Sequence, residues 1–244
     1  MNLEELPEKV KRDIEDQSLS ILEIIKDDII VIGGWAVRAL AGEKHARYTL
    51  DIDGVVAEKK LPRIKMKLEK LGLEYRDSDW GLQFYQKYRP EIKITDKDVR
   101  KKVNQLELRI ELTGPRIKEF QTYHYFEFSL RDYVTRKIPF HNKDSEVEVK
   151  VPPVVSNTAV KLGLPVDYKN NFDSAILLAI CDVDKVIIAI KSNDDWNEMV
   201  LRRLPKQKGR VKDPGRLENL LLINAKIDIR EYIRKLEYIE YNLK

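Results

Sequence analysis

A short β-branched run, Ile29-Ile30-Val31-Ile32, stops at Gly33-Gly34 and gives way at once to Trp35-Ala36-Val37-Arg38-Ala39-Leu40-Ala41, which ends at Gly42. β-Branched residues suit a buried strand, two adjacent glycines permit a tight turn, and the Ala- and Leu-containing segment favours a helix. The unit reads as strand, glycine turn, helix. It fixes the fold class as α/β, because the next stretch repeats the scheme: Tyr48 to Val56 is extended in character, and Leu61 to Leu71 is helical and closes at Gly72. Upstream, Leu3 to Ile25 carries Val10, Ile14, Leu19, Ile21, Leu22 and Ile25 at helical spacing, with Pro7 near the start, where a helix tolerates it.

Further along, Leu106-Glu107-Leu108-Arg109-Ile110-Glu111-Leu112 alternates apolar and charged with period two, the clearest strand pattern in the chain. Leu82 to Tyr88, Glu91 to Thr95, Tyr123 to Leu130 and Val147 to Val151 read as further strands. Pro152-Pro153 then interrupts, and the remainder reads as mostly helical. Ser174 to Ile180 is apolar and helix-compatible, Val186 to Ile190 fits either element type, and Ile227 to Leu243 reads as an amphipathic terminal helix. The expected organisation is an α/β (α+β) fold with a sheet flanked by helices over residues 1–152, followed by a helical domain over 153–244.

Composition excludes several function classes. At 244 residues with 43% hydrophobic and 35% charged residues, the chain can bury a core and is neither disordered nor fibrous. One cysteine, Cys181, excludes an intramolecular disulfide and a Cys-based zinc site. The net charge of +4 is too small to mark a nucleic-acid binder by itself. The amino terminus lacks an apolar signal core and no run suits a membrane span, so a cytoplasmic protein with no membrane partner is expected. The Lys- and Glu-rich composition, with few Met and Cys, resembles that of thermophile proteins.

The chemistry is concentrated between Ile32 and Val56. In Arg47-Tyr48-Thr49-Leu50-Asp51-Ile52-Asp53, residues two apart on a strand share a face, so the Asp51 and Asp53 carboxylates point to the same side. Two neighbouring carboxylates repel unless a divalent cation lies between them. Mg²⁺ takes hard oxygen ligands from few protein carboxylates and completes its shell with substrate phosphates, which makes a Mg-nucleotide site. Gly33 and Gly34 let a phosphate approach the backbone at a helix N-terminus. No Gly-Lys-Ser or Gly-Lys-Thr follows, and no Gly-x-Gly-x-x-Gly is present, which disfavours P-loop and dinucleotide folds. Two-metal phosphoryl chemistry needs a third acid. Glu107 and Glu111 share the charged face of their strand but stand about 13 Å apart, so only one can join the aspartates.

Gly-Gly, then Arg-x-Thr-x-Asp-x-Asp, then an acid on a later strand resembles the nucleotidyltransferase superfamily related to DNA polymerase beta. Within it, the pattern is most similar to the minimal abortive-infection type IV toxin enzymes. The resemblance implies a mixed sheet flanked by helices, and transfer of NMP from an NTP to an acceptor hydroxyl, with pyrophosphate release by two Mg²⁺ ions and with Mn²⁺ as a substitute. It assigns catalysis and metal binding to Asp51, Asp53 and Glu111, with Glu107 in reserve, and nucleotide binding to Gly33, Gly34 and Lys161, to which the lead-in adds Arg47 and Thr49 as nucleotide-binding candidates. Arg47 either meets phosphate or pairs with a neighbouring acid, while Thr49 also suits the strand as a β-former. The family carries a lysine on a helix followed by an Arg, a Lys-Asp step and an aromatic-Asp pair; Lys161 and Lys169-Asn170-Asn171-Phe172-Asp173 occupy comparable places, with Asn170 in place of the acid and no arginine before it. A toxin role implies a cognate antitoxin.

Arg202 to Lys212 is basic and contains Pro205 and Gly209, so it reads as an exposed loop, able to hold the backbone of an RNA or tRNA acceptor. Lys101, Lys102, Arg116 and Lys118 extend that expectation. An aminoglycoside-like small molecule or a protein hydroxyl are the other acceptor classes, and the rival reading is a non-catalytic nucleic-acid-binding module. His45, His124 and His141 show no metal spacing and read as surface or turn residues. Trp35 and Cys181 read as core.

Overall fold

The computed structural model describes residues 5–45, 47–78, 81–118, 124–213 and 215–244. They divide into two compact units. The first comprises residues 1–35, 47–115 and 133–151; the second comprises 36–46, 116–132 and 152–244.

The first unit is built on a five-stranded mixed sheet of β1 (Ile30–Ile32), β2 (Asp51–Val55), β3 (Glu74–Ser78), β4 (Gly81–Lys87) and β5 (Glu107–Thr113), in the order β1-β2-β5-β4-β3. Only β2 and β5 run parallel; the other neighbouring pairs are antiparallel. The alternation in β5 explains the layering. Leu108, Ile110 and Leu112 are buried, while Glu107, Arg109 and Glu111 occupy the opposite, half-buried face. Full burial of each such aliphatic side chain stabilises by about 1.5–3 kcal/mol, which sets which face turns inward.

Helix α1 (Glu8–Ile25) brings Val10, Ile14, Leu19, Leu22 and Ile25 to the core, as its spacing requires. It also buries acids that the sequence does not mark out, and each has hydrogen-bond partners. The Glu15 carboxylate accepts from the Thr49 backbone N–H at 2.7 Å and meets His141 Nε2 at 2.6 Å. Asp16 accepts from the backbone N–H groups of His141 and Asn142 at 2.7 and 2.9 Å. Asp13 accepts from Tyr88 Oη, and burial together with that bond pushes the Tyr88 phenol above its ordinary range. These bonds tie α1 to the lead-in of β2 and to the hairpin Val134–Pro139/Glu146–Val151. Helices α3 (Leu61–Lys70) and α4 (Lys97–Val103) complete this unit; Asp96 caps α4 by accepting from the N–H groups of Asp98 and Val99. The strand expected at Glu91–Thr95 is irregular instead. Pro90 precedes it, and the Arg100 guanidinium takes the Ile94 carbonyl that a ladder would have used.

The second unit contains most of α2 (Gly33–Ala41), the hairpin Arg116–Lys118/Tyr125–Glu127, and helices α5 (Val154–Gly163), α6 (Tyr168–Ile180), α7 (Val183–Lys191), α8 (Asp194–Val211), α9 (Leu217–Asn224) and α10 (Ile229–Leu243). Asp167, Asp182, Asn193 and Asp228 cap α6, α7, α8 and α10 through their side-chain oxygens. The end of α5 is satisfied from α8: Trp196 Nε1 donates to Ala159 O at 2.9 Å, Arg203 to Gly163 O at 2.6 Å and Gln207 to Leu162 O at 3.1 Å. Three carbonyls of a helix C-terminus thus find side-chain donors. Gly163 has no alternative residue, since a Cβ there would overlap the Trp196 indole.

The run Arg202–Lys212 is not a loop. Through Val211 it is the second half of α8, where Arg203, Leu204, Gln207 and Val211 continue a buried stripe begun by Trp196, Met199 and Val200. Pro205 lies on the exposed side, and the helix survives it because the stripe is packed. Leu3 and Tyr123, which begin two of the expected elements, lie outside the described residues. No helix of the described residues is long and apolar enough to cross a membrane.

Candidate active site

The glycine turn and the aspartates meet within the first unit. Gly33 has φ +65°, the left-handed region that costs a side-chain-bearing residue most, and it opens α2 directly after β1. A Cβ on Gly33 would occupy the same space as Asp53 Oδ2, and one on Gly34 would lie 2.7 Å from Arg47 Nη2 and 2.8 Å from Thr49 Oγ1. Gly33 is required by its left-handed φ together with this approach, whereas a Cβ on Gly34 would press on the Thr49 side chain and displace the tip of Arg47. The acid of one motif and the Arg and Thr of its lead-in press against the turn from the neighbouring segment.

Register explains the approach. Ile32, the last residue of β1, stands opposite Asp53 on β2, so the turn that follows Ile32 begins where the Asp53 side chain projects. Ile52 is buried between the aspartates, whereas Asp51 and Asp53 are half-buried on the other face. On the far side of β2, Asp51 is opposite Arg109, and Asp53 is opposite Glu111. Glu107 falls beyond the end of β2, and its carboxylate is held by Arg109 at 3.1 and 3.2 Å. Arg47 and Thr49 are both buried, and Arg47 Nη1 donates to Thr49 Oγ1 at 3.5 Å.

Glu111 has a partner that the sequence reading did not find. Gln83 on β4, directly opposite it, donates from Nε2 to Glu111 Oε1 at 2.5 Å. Among the described residues, no three His, Cys, Asp or Glu side chains stand together closely enough to hold a metal ion.

Lys161 belongs to the second unit, where it is buried on α5 and paired with Asp173 at 2.8 Å; it also donates to Asn170 Oδ1 at 3.1 Å. Asp173 is fully buried and bonds His45 Nε2 at 3.2 Å on its other oxygen. His45 is therefore not a surface residue: it is buried, and its ring packs near Phe172 at 5.7 Å between centroids. His141 is an exposed residue on a bend, as expected, with Nε2 2.6 Å from the buried Glu15 carboxylate. Trp35 is in the core as expected, whereas Cys181 sits half-buried just beyond the end of α6, and burial raises its thiol above the ordinary range.

Much of the basic run expected to meet RNA is spent inside the second unit. Arg203 caps α5, Lys208 pairs with Glu240 at 2.5 Å, and Arg210 pairs with Glu218 at 2.5 Å. Arg202, Lys206 and Lys212 are its exposed cations. Lys101 and Lys102 are exposed on α4, and Lys102 reaches Glu5 at 3.4 Å.

No protein-family model matches the chain, and no curated protein matches its sequence. Among solved structures, the antibiotic-resistance factor ANT(2'')-Ia is similar at 14% identity and TM-score 0.47, over 73% of this chain and 90% of that one. A candidate nucleotidyltransferase from H. pylori is similar at 15% identity and TM-score 0.47, over 98% and 96% of the two chains. JHP933 from Helicobacter pylori is similar at 13% identity and TM-score 0.45, over 98% and 93%. Similarity at this level leaves function to the geometry of the site itself.

Proposed function

We propose that the chain is a nucleotidyltransferase that moves NMP from an NTP to an acceptor hydroxyl and releases pyrophosphate. One observation carries the reading: the left-handed glycine turn at a helix start is in contact with the second aspartate of the Asp-x-Asp strand, so a phosphate-accepting backbone and a carboxylate pair form a single site. A structural turn would not need an acid packed where its own Cβ would go.

Gly33 and Gly34 would take the triphosphate on the N–H groups of the first turn of α2, where the helix dipole favours an anion. Arg47, beside Gly34, adds a fixed positive charge, and Thr49 anchors it. Asp51 and Asp53 would hold Mg²⁺, or Mn²⁺ in its place. The donor set fits such ions: it is all carboxylate, and Mg²⁺ asks for only one or two protein carboxylates when phosphate oxygens fill the rest of its shell. Bound there, the metal would supply charge neutralisation on the triphosphate and its leaving group. Glu111, beside Asp53, is the third acid and would accept the proton of the attacking hydroxyl; Glu107, beyond β2 and held by Arg109, is the lesser candidate. Lys161 is the second unit's candidate for a phosphate contact.

RNA, with tRNA within it, is the first acceptor class to test, ahead of a small molecule such as an aminoglycoside or a protein hydroxyl. The abortive-infection type assignment rests on the motif resemblance and predicts growth arrest on expression, relieved by a cognate antitoxin. The deciding experiment incubates the protein with labelled NTPs, Mg²⁺ and separate RNA, protein and metabolite fractions. Label should enter one fraction with wild type and none with the folded Asp51→Ala/Asp53→Ala variant. Failure of the folded wild type to label any fraction refutes the reading.

A further inference from the structure

Four residues lie abreast across four strands of the first unit. Arg76 on β3 is opposite Gln83 on β4, Gln83 is opposite Glu111 on β5, and Glu111 is opposite Asp53 on β2. Directly opposed residues share a face of the sheet, so this row is one continuous line of side chains ending at the glycine turn. Two of its links are hydrogen bonds: Arg76 Nε donates to Gln83 Oε1 at 2.8 Å, and Gln83 Nε2 donates to Glu111 Oε1 at 2.5 Å. Arg76 is itself stacked over the Tyr85 ring, 4.8 Å from its centroid.

The chemistry of the row permits only one orientation of Gln83. A guanidinium has donors and no acceptor, and an ionised carboxylate has acceptors and no donor. A carboxamide between them must turn its oxygen to the arginine and its NH₂ to the glutamate. Arg76 thereby fixes which end of Gln83 faces Glu111, and Gln83 is 93% buried, so water competes poorly for the bond. A carboxamide this buried needs hydrogen-bond partners, and both that Gln83 has here lie in the row that ends at Asp53.

We propose that Gln83 is a positioning residue for Glu111, with Arg76 setting the direction of its amide. Tethering Oε1 restrains rotation of the Glu111 carboxylate, so it meets the acceptor hydroxyl in one orientation rather than several. Outer partners that orient metal-ligating side chains typically change affinity or activity 10- to 100-fold when removed, and a partner that orients the proton-accepting acid is expected in the same range. This inference rests on the nucleotidyltransferase reading.

The test compares wild type, Gln83→Leu, Gln83→Glu, Arg76→Lys and Arg76→Ala in the labelling reaction, with KM for NTP, kcat and melting temperature measured for each. Gln83→Leu should lower kcat about 10- to 100-fold with KM for NTP within about twofold, because Gln83 acts through Glu111 and not on the nucleotide. Gln83→Glu keeps the size and the bond from Arg76 but removes the donor, and should fall at least as far. Arg76→Ala should lower kcat by a smaller factor, and Arg76→Lys, which keeps a cationic donor, should recover part of the loss. A second readout does not use turnover: the Gln83 side-chain NH₂ resonances should shift in Glu111→Gln and in Arg76→Ala. Wild-type activity with folded Gln83→Leu and Gln83→Glu unimpaired overturns the positioning role alone. Gln83 resonances indifferent to Glu111→Gln also overturn it. A folded wild type inactive on every fraction overturns the nucleotidyltransferase reading and this inference with it.

Discussion

Arg47–Asp53 and Arg202–Lys212 are both short and charged, and they turn out oppositely. In the first, the glycine turn and strand register bring a neighbour to each charged residue: Gly34 beside Arg47, Arg109 opposite Asp51, and Gly33 and Glu111 against Asp53. In the second, the charges answer to residues of other helices, which the run itself does not announce. Arg203 reaches back to Gly163, Arg210 forward to Glu218 and Lys208 to Glu240. Strand register transmits a local motif directly into a site. A basic run on a helix has no meaning until its neighbours are known, and its proline does not break a helix whose buried stripe is complete.

The largest test of that contrast is Gly33→Ala. It adds left-handed strain and places a methyl group where Asp53 Oδ2 now sits, so nucleotide labelling should fall by about 100-fold or more, as expected when reacting groups are displaced by an ångström. Circular dichroism should still report a folded chain. A fully active Gly33→Ala would separate the turn from the acids and erase the difference between the two regions.

Next comes Arg210→Ala, which leaves the fully buried Glu218 carboxylate without its guanidinium. It should cost about 3 kcal/mol, the low end for a buried pair because Arg210 is partly exposed, or roughly 6–12 °C in melting temperature. Burial pushes the Glu218 carboxyl upward, but hydrogen bonds led by that from Arg210 hold it below its ordinary value. A group depressed in the folded state contributes stability above its unfolded pKa and loses it as pH falls through the folded one. The penalty of Arg210→Ala should therefore be present at neutral pH and shrink on acidification, as urea titrations at several pH values would reveal.

Trp196→Phe is a smaller change. Losing the indole bond to Ala159 O and some ring volume should destabilise by about 2 kcal/mol without altering labelling per folded molecule. The smallest effect is expected of Lys206→Ala/Lys212→Ala. Both residues are exposed, so stability should change by less than about 0.5 kcal/mol. If RNA is the labelled acceptor, a shallower salt dependence of labelling would show that the exposed edge of α8 nonetheless meets phosphates.

How much was legible follows the same division. The five-residue β2, the alternating β5 and the terminal α10 were readable because one face of each is buried and imprints its period. β3 was invisible: its residues are exposed on both faces, so nothing alternates. Helix α4 has few buried positions, yet Asp96 gave a capping signal that could have announced it, as Asp182 could have decided α7. In the candidate site, Gly33, Gly34, Asp51 and Asp53 came from spacing, whereas Gln83 had no cue, since a strand glutamine gains meaning only through the residues opposite it. His45 offered none either; its partner Asp173 lies 128 residues away.

That last separation bears on how the gene could be cut. Because the unit containing the six C-terminal helices also takes in residues 36–46 and 116–132, a fragment beginning after Pro152 would be missing His45 and the hairpin ending at Glu127. Asp173 would keep Lys161 but lose the imidazole from its second oxygen, and Phe172 would lose the ring beside it. Dissection at the proline pair would leave the first unit whole but burdened with two stray segments, and the second unit incomplete, so any split or permuted version of this protein has to respect a boundary drawn in space rather than along the chain.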